Sequence, residues 1–348
     1  MSARRSKALV GVVATMVAVG GVAAGCGSSS SKSSSSSGGS TAASSFTAGL
    51  VSDVGKFNDR SFNQSALEGL QKAEKDLGVT GTPIESTATG DYVANLNTLA
   101  RKKEGITVGV GFLMADAMDA VALKYPNQKF AIVDYPNAGL KHKPKNVEGL
   151  TFNTNENSYL IGYLAAKMAK AKGGAQVISA VGGIKLPTVD IFIAGYKAGA
   201  LAANPKIKVL VDYSQDFVAQ AKCKEKALNQ IAQGSQVVFQ VAGGCGLGAL
   251  SAAHDKGVWG VGVDRDQSDL GAHILTSAVK KVDVSVYDAI KDAKDGTFQG
   301  GADKVFNLAN GGVGLGKVSP KVPKSFLTQL DGLKAKIIAG TIKVPTTL

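Results

Sequence analysis

The stretch QVVFQVAGGCGLGALSAAHDKGVWGVGVD, residues 236–264, decides the fold. Gln236–Val241 is an apolar, β-branched run of strand length, Leu247–Lys256 reads as a helix, and Val258–Val263 is a second apolar run. Two strands separated by a helix lie parallel in one sheet, because an antiparallel return needs only a tight turn. Both runs are apolar at successive positions, as expected of strands covered by helices on both faces.

Outward from this unit the alternation repeats. Phe46–Ser52 reads as a strand and Ser61–Leu77 as a helix. Ile106–Val110 and Lys129–Asp134 are strands around a helix beginning near Ala115, and Val147–Phe152 is another. The next segment places Leu160, Tyr163, Leu164 and Met168 at helical spacing, a buried face. Strands at Val177–Val181, Ile207–Tyr213 and His273–Ser277 alternate with helices at Thr188–Ala203, about Ala219 to Ala232, and Val282–Asp295. A last helix lies near Ser325–Ala339. The fold class is therefore α/β, with doubly wound parallel sheets. The ~300 residues after the N-terminal region exceed one ordinary core and suit two lobes. Residues 46–153 are expected to form the first lobe and 154–269 the second. About 270–305 is expected to return to the first and about 306–348 to the second.

The N-terminus gives an address. Arg4, Arg5 and Lys7 precede an apolar stretch from Ala8 to about Val22, and Ala23-Ala24-Gly25 leads to Cys26. This is the layout of a secretory signal peptide, residues 1–25, with a lipoprotein cleavage site. The apolar run of roughly 15 residues is shorter than the ~20 needed to span a bilayer. Cys26 is expected to carry lipid and hold the chain outside the cytoplasm at the cell membrane. Residues 26–45, nearly all Ser, Gly and Ala, read as a flexible tether, lacking apolar surface to offset the entropy of ordering.

The formal charge is +12. Three of the positive charges lie in the leader, and others are scattered along helices as Lys72, Lys75, Lys167, Lys170 and Lys172. No dense Arg patch with interleaved aromatics exists, which argues against nucleic acid. Beyond Cys26 two cysteines remain, Cys223 and Cys245. In an oxidising compartment a disulfide is expected, two separate buried thiols being the alternative.

In doubly wound sheets, ligands bind beyond the carboxyl ends of the strands. Those positions here are Asp53, Gly111-Phe112, Asp134, Gly182-Gly183, Gly243-Gly244 and Asp264, acids and glycines suited to a pocket fed by both lobes. In the segment from Asp53 to Ser65, Asp53 and Asn63 could meet the polar edge of a ligand while Phe62 stacks on a ring. Alternatively Asp59 or Ser61 caps a helix and Phe62 is core.

Gly244-x-Gly246-x-x-Ala249, with Asp264 further on, fits a relaxed dinucleotide fingerprint and keeps open an exported oxidoreductase. The simpler use of these glycines is close backbone approach to another ligand. Chemistry finds little else. His142, His254 and His273 share no metal-ligand spacing, no G-x-S-x-G elbow occurs, and Asp116 and Asp119 read as the first turn of a helix. No enzyme activity, cofactor or metal is expected.

Seven ordered stretches resemble one family: DRSFNQSALEGL (59–70), GFLMADA (111–117), FAIVD (130–134), GGIKLPTV (182–189), FQVAGG (239–244), GVWGVGVD (257–264) and LTSAVKKVD (275–283). From about Phe46 to Val318 the chain resembles the basic membrane protein family of ABC-transporter substrate-binding lipoproteins, whose best-understood members bind purine nucleosides. The resemblance implies a type I periplasmic-binding-protein fold, two lobes joined by hinge strands, and an ABC permease as partner. It implies that Phe62 and Phe217 sandwich a purine and that Asp53 and Asn63 contact the base. Asp134, Asp264, Gly243 and Lys280 would hold the ribose hydroxyls. Around Phe217 the segment YSQDFVAQ (213–220) departs from the family's usual Gly-Ser-Phe. Stacking rings contribute about 0.5–1.5 kcal/mol beyond burial, and carboxylates accept hydroxyl donors with charge-assisted strength. A sugar on the same fold is the alternative ligand. The chain is expected to act as a monomer.

Overall fold

A computed structural model describes residues 46–348; the leader, Cys26 and the tether lie outside the described residues. The chain first lays down β1 (Thr47–Val51), α1 (Phe62–Leu77), β2 (Thr80–Ile84), α2 (Tyr92–Lys102), β3 (Ile106–Val110), α3 (Ala115–Lys124), β4 (Phe130–Val133) and β5 (Val147–Phe152). It then crosses to a second sheet through α4 (Thr154–Lys172). There follow β6 (Val177–Gly182), α5 (Pro187–Ala203), β7 (Lys208–Tyr213), α6 (Gln220–Ala232), β8 (Val237–Val241), α7 (Gly246–Asp255), β9 (Trp259–Asp264) and β10 (Ile274–Lys280). Helix α8 (Val282–Asp295) and β11 (Asp303–Phe306) return to the first lobe. Strand β12 (Val313–Leu315) and α9 (Lys324–Ile338) return to the second.

Each lobe holds a six-stranded sheet, ordered β11-β5-β4-β3-β1-β2 in the first and β12-β10-β9-β8-β6-β7 in the second. All neighbours pair in parallel except β12, which runs antiparallel to β10. The central strands β3, β4 and β8 are buried at every position. They carry residues such as Val108, Ile132 and Phe239, as strands covered on both faces should. In the first lobe α1 and α8 cover one face while α2 and α3 cover the other. In the second, α4, α5 and α9 pack on one face and α6 and α7 on the other. The chain order and both sheets agree with the expected fold class.

The first return begins later than expected. The strand expected at His273–Ser277 continues to Lys280, and the whole of β10 stays in the second sheet between β9 and β12. Seven buried residues paired on both sides cannot also serve the other lobe. The crossing therefore falls at Lys281, not near residue 270. Asp119 is also corrected. It lies beyond the first turn of α3, buried, and accepts the backbone N–H of His142 at 3.0 Å and meets its Nδ1 at 2.6 Å.

The lobes are joined at Asn153, at Lys281 and through residues 307–312. These crossings run side by side. Asn153 N–H donates to Phe306 O at 2.8 Å, and Lys281 N–H to Gly312 O at 2.9 Å. Buried Asn157 donates from Nδ2 to Val279 O and Gly314 O at 2.9 and 2.8 Å, tying α4 to the last two strands of the second sheet. No helix among the described residues is long and apolar enough to cross a membrane.

Candidate functional site

The carboxyl ends of the strands from both sheets face one cleft, where small-molecule sites of such sheets form. The structure brings together there every one of Asp53, Phe62, Asn63, Asp134, Phe217, Gly243, Asp264 and Lys280. Phe112, Leu186, Thr188, Val189 and Phe192 complete much of the apolar wall.

On the first lobe, Asp53 follows β1. Its Oδ1 accepts Gly55 N–H at 2.7 Å and Asn63 Nδ2 at 2.6 Å, and its own N–H donates to Asn63 Oδ1 at 3.0 Å. Asn63 Nδ2 also donates to Asp59 Oδ2 at 3.0 Å, so both amide hydrogens are already committed to protein carboxylates. Asp59 in turn accepts the N–H groups of Ser61, Asn63 and Gln64, satisfying orphan donors at the start of α1. Asp59, rather than Ser61, is thus the capping side chain. Ser61 Oγ instead reaches the other lobe and donates to Asp264 Oδ2 at 2.6 Å.

The acids at the ends of β4 and β9 share an unusual backbone. Asp134 and Asp264 have φ of 70° and 64°, the left-handed region that side-chain-bearing residues rarely occupy. Such conformations persist where surrounding structure enforces them, and they concentrate at functional sites. Asp134 Oδ2 bonds Lys280 Nζ, which rises from the end of β10 and is 3% exposed. The ammonium lies 4.7 Å from the centroid of Phe62, 5.0 Å from Phe152 and 5.7 Å from Phe192, a cage of ring faces that favours a cation.

Burial dominates the electrostatics. It pushes the Asp53 carboxyl up to about 7, against the hydrogen bonds from Gly55 and Asn63. It pushes Asp264 up to about 6, against Lys280 and Ser61. Asp59 is likewise raised, by burial outweighing its backbone hydrogen bonds.

Phe217 enters from the loop before α6. Asp216 next to it accepts Val218 and Ala219 N–H at 2.8 and 2.9 Å, and Phe217 O accepts Cys245 N–H at 2.9 Å. Cys223 and Cys245 form a disulfide, their Cα atoms 5.6 Å apart, pinning α6 to the Gly243–Cys245 turn. Of the two dinucleotide-like glycines, Gly246 serves packing, since a Cβ there would fall 1.8 Å from Gln240 Oε1, whereas one at Gly244 would make only ordinary contact, 3.5 Å from Phe217 O. Phe112, at one of the strand-end positions, lines the cleft as expected, whereas Phe192 is a site residue that the sequence pattern does not mark. Phe192 lies at a helical core position, 2% exposed, and its place in the cleft wall near Lys280 shows only in three dimensions.

Comparison with known proteins agrees with this geometry. The family model described as ABC transporter substrate-binding protein, PnrA-like, matches residues 46–347. The "CD4+ T-cell-stimulating antigen" of Listeria monocytogenes is 36% identical, covering 86% of this chain and 88% of that protein. The "ABC transporter nucleoside-binding protein BmpA" of Lactococcus lactis subsp. cremoris is 35% identical over 98% of this chain and 99% of its own. Among solved structures, an ABC transporter solute-binding protein from Aeropyrum pernix K1 superposes with TM-score 0.78 at 27% identity, covering 86% of this chain and 93% of that one. Proteins of this kind work outside the cytoplasm, carry a small molecule to a permease and are not enzymes. The chain belongs to the PnrA-like family of ABC transporter substrate-binding proteins.

Proposed function

We propose that this protein captures a purine nucleoside between its lobes, and that lipid at Cys26 holds it beside the permease that receives the ligand. One observation carries the ligand assignment. A phenylalanine from each lobe, Phe62 and Phe217, lines the same cleft as the half-buried Asp134 and the buried Asp264 and Lys280. A nucleoside matches that mixture, being flat and apolar on its base faces and rich in hydroxyl donors on its sugar. The rings would clamp the base, while the two carboxylates accept ribose hydroxyls by charge-assisted bonds. Lys280 offsets the buried acids and donates to a ribose oxygen. Asp53 faces the base, and Asn63, its amide hydrogens already engaged, holds Asp53 in place. The nucleoside-binding name of the Lactococcus relative supports the reading.

Calorimetry with adenosine, guanosine and inosine tests it, with micromolar or tighter binding expected. Silence with every nucleoside, or heat only with sugars, overturns the assignment. Phe62→Ala is expected to weaken binding by about 1 kcal/mol or more; unchanged affinity removes the stacking role. Mass spectrometry of the N-terminal peptide from membrane-bound protein tests the anchor, with lipid on Cys26 expected.

A further inference from the structure

Asp53 uses its two oxygens unequally. Oδ1 is saturated by Gly55 N–H and Asn63 Nδ2, whereas Oδ2 has no hydrogen-bond partner among the described residues. Oδ2 lies against Gly111, where a Cβ would come within 3.1 Å of it. The neighbouring amide cannot adapt. Flipping Asn63 would turn its oxygen toward Asp53 Oδ1 and Asp59 Oδ2 and its hydrogens toward the Asp53 N–H. Oδ2 is therefore the adjustable polar atom at this end of the cleft.

Burial and the neighbouring carboxylates disfavour a fixed charge on Asp53, against the hydrogen bonds from Gly55 and Asn63. Asp59 comes from the loop before α1 and Asp134 from the end of β4. The buried Tyr92 phenol comes from α2. Across the cleft Asp264 is bonded to Ser61, and Lys280 is committed to Asp134. No cation among the described residues pairs with Asp53. With its carboxyl pushed up to about 7, both protonation states are populated near neutrality.

We propose that Asp53 Oδ2 selects the base in two protonation states: ionised, it accepts the ring N–H of a 6-oxopurine; protonated, it donates to a ring nitrogen of adenine. The inference rests on the nucleoside reading above. Inosine and guanosine present a donor at N1, and adenosine presents an acceptor there, so a single oxygen that gains or loses a proton discriminates between them by hydrogen-bond sign. A mismatched form loses the N1 bond and must turn to the group of opposite sign at C6, the amino group of adenine or the oxo group of a 6-oxopurine, so the penalty is a displaced, poorer hydrogen bond.

The test is the ratio of adenosine to inosine dissociation constants in the wild-type protein between pH 5.5 and 8.0. The ribose is common to both ligands, so effects of pH on Asp134, Asp264 or lobe closure cancel in the ratio. The ratio is expected to move roughly tenfold toward adenosine as pH falls. In Asp53→Asn, whose amide mimics the protonated form, the ratio should favour adenosine at every pH and lose its slope. Binding of both nucleosides with a flat wild-type ratio overturns this inference and leaves the nucleoside assignment standing. Failure of both to bind at either pH overturns the assignment itself.

Discussion

At the scale of single residues, Lys280 is the most exposed to failure because it is the most deeply buried charged side chain lining the cleft. Its ammonium is offset by Asp134 and ringed by Phe62, Phe152 and Phe192. Removing one partner of a buried pair leaves an uncompensated charge, at a cost of about 3–5 kcal/mol. Lys280→Met should therefore lower the thermal midpoint and abolish nucleoside heat, while adding Asp134→Asn should restore stability without restoring binding. A Lys280→Met protein that melts like the wild type would contradict this. Glu148 makes the opposite case. It is 3% exposed, its Oε2 has no partner, and burial pushes its carboxyl up to about 7 from an ordinary 4.5. Between those values the folded state holds more protons than the unfolded chain, so stability falls as pH rises through that window. Glu148→Gln should stabilise the protein by about 1 kcal/mol or more at pH 8 and have little effect at pH 4, read by denaturant unfolding. The cleft residues were legible because strand ends concentrate acids and glycines and because several ordered motifs match one family. Glu148 was not, since a single acid inside an apolar run has no sequence signal for burial beneath a helix.

At the scale of elements, helices α4 and α5 approach so closely that glycines are required. A Cβ at Gly199 would meet Tyr159 O at 1.9 Å, and one at Gly162 would meet Tyr196 O at 1.8 Å, backbone that cannot swing aside. Gly199→Ala should force the helices apart and cost about 1–3 kcal/mol, measurable as a lower denaturation midpoint. The disulfide between α6 and the Gly243–Cys245 turn works differently. Residue 245 also holds the Phe217 carbonyl, so the bridge links chain stability to the position of the second ring. The paired substitution Cys223→Ser and Cys245→Ser should lower stability by about 3 kcal/mol and weaken nucleoside binding more than sugar-free ligand analogues of the same ring would predict from stacking alone. Strong alternation made the central strands readable. β2 and α2 were not read. β2 carries Gly81 and Pro83, which a sheet edge tolerates and a strand pattern hides. β10 ran longer than its apolar signal because it ends on Lys280, a charge placed in the cleft.

At the scale of the whole molecule, two lobes joined at three adjacent crossings can rotate about them. The crossing at Lys281 escaped the sequence reading because only long-range pairing of β10 with β9 and β12 decides which lobe owns it. Beyond the cleft, the lobes meet at its rim through charge. Arg60 Nη2 lies 2.5 Å from Asp269 Oδ2, and Arg265 Nη2 lies 2.9 Å from Glu68 Oε1, each pair joining one lobe to the other. Neither arginine lines the cleft. Exposed pairs contribute only ~0–1 kcal/mol each and are screened by salt, but both count toward the closed arrangement. Observed affinity is the intrinsic affinity reduced by the fraction of molecules able to bind, so a rim that never touches ligand still tunes it. Reversing the charge in Arg60→Glu or Arg265→Glu sets acid against acid across the rim. Calorimetry should then show nucleoside binding weakened by roughly three- to tenfold. The wild type should lose affinity between 0.05 and 0.5 M salt, while the reversed variants gain it as their repulsion is screened. Opposite salt slopes would tie the effect to lobe closure rather than to damage in the cleft, because a disturbed ligand contact has no reason to improve with salt. Parallel slopes in both proteins would mean that these rim pairs do not govern closure.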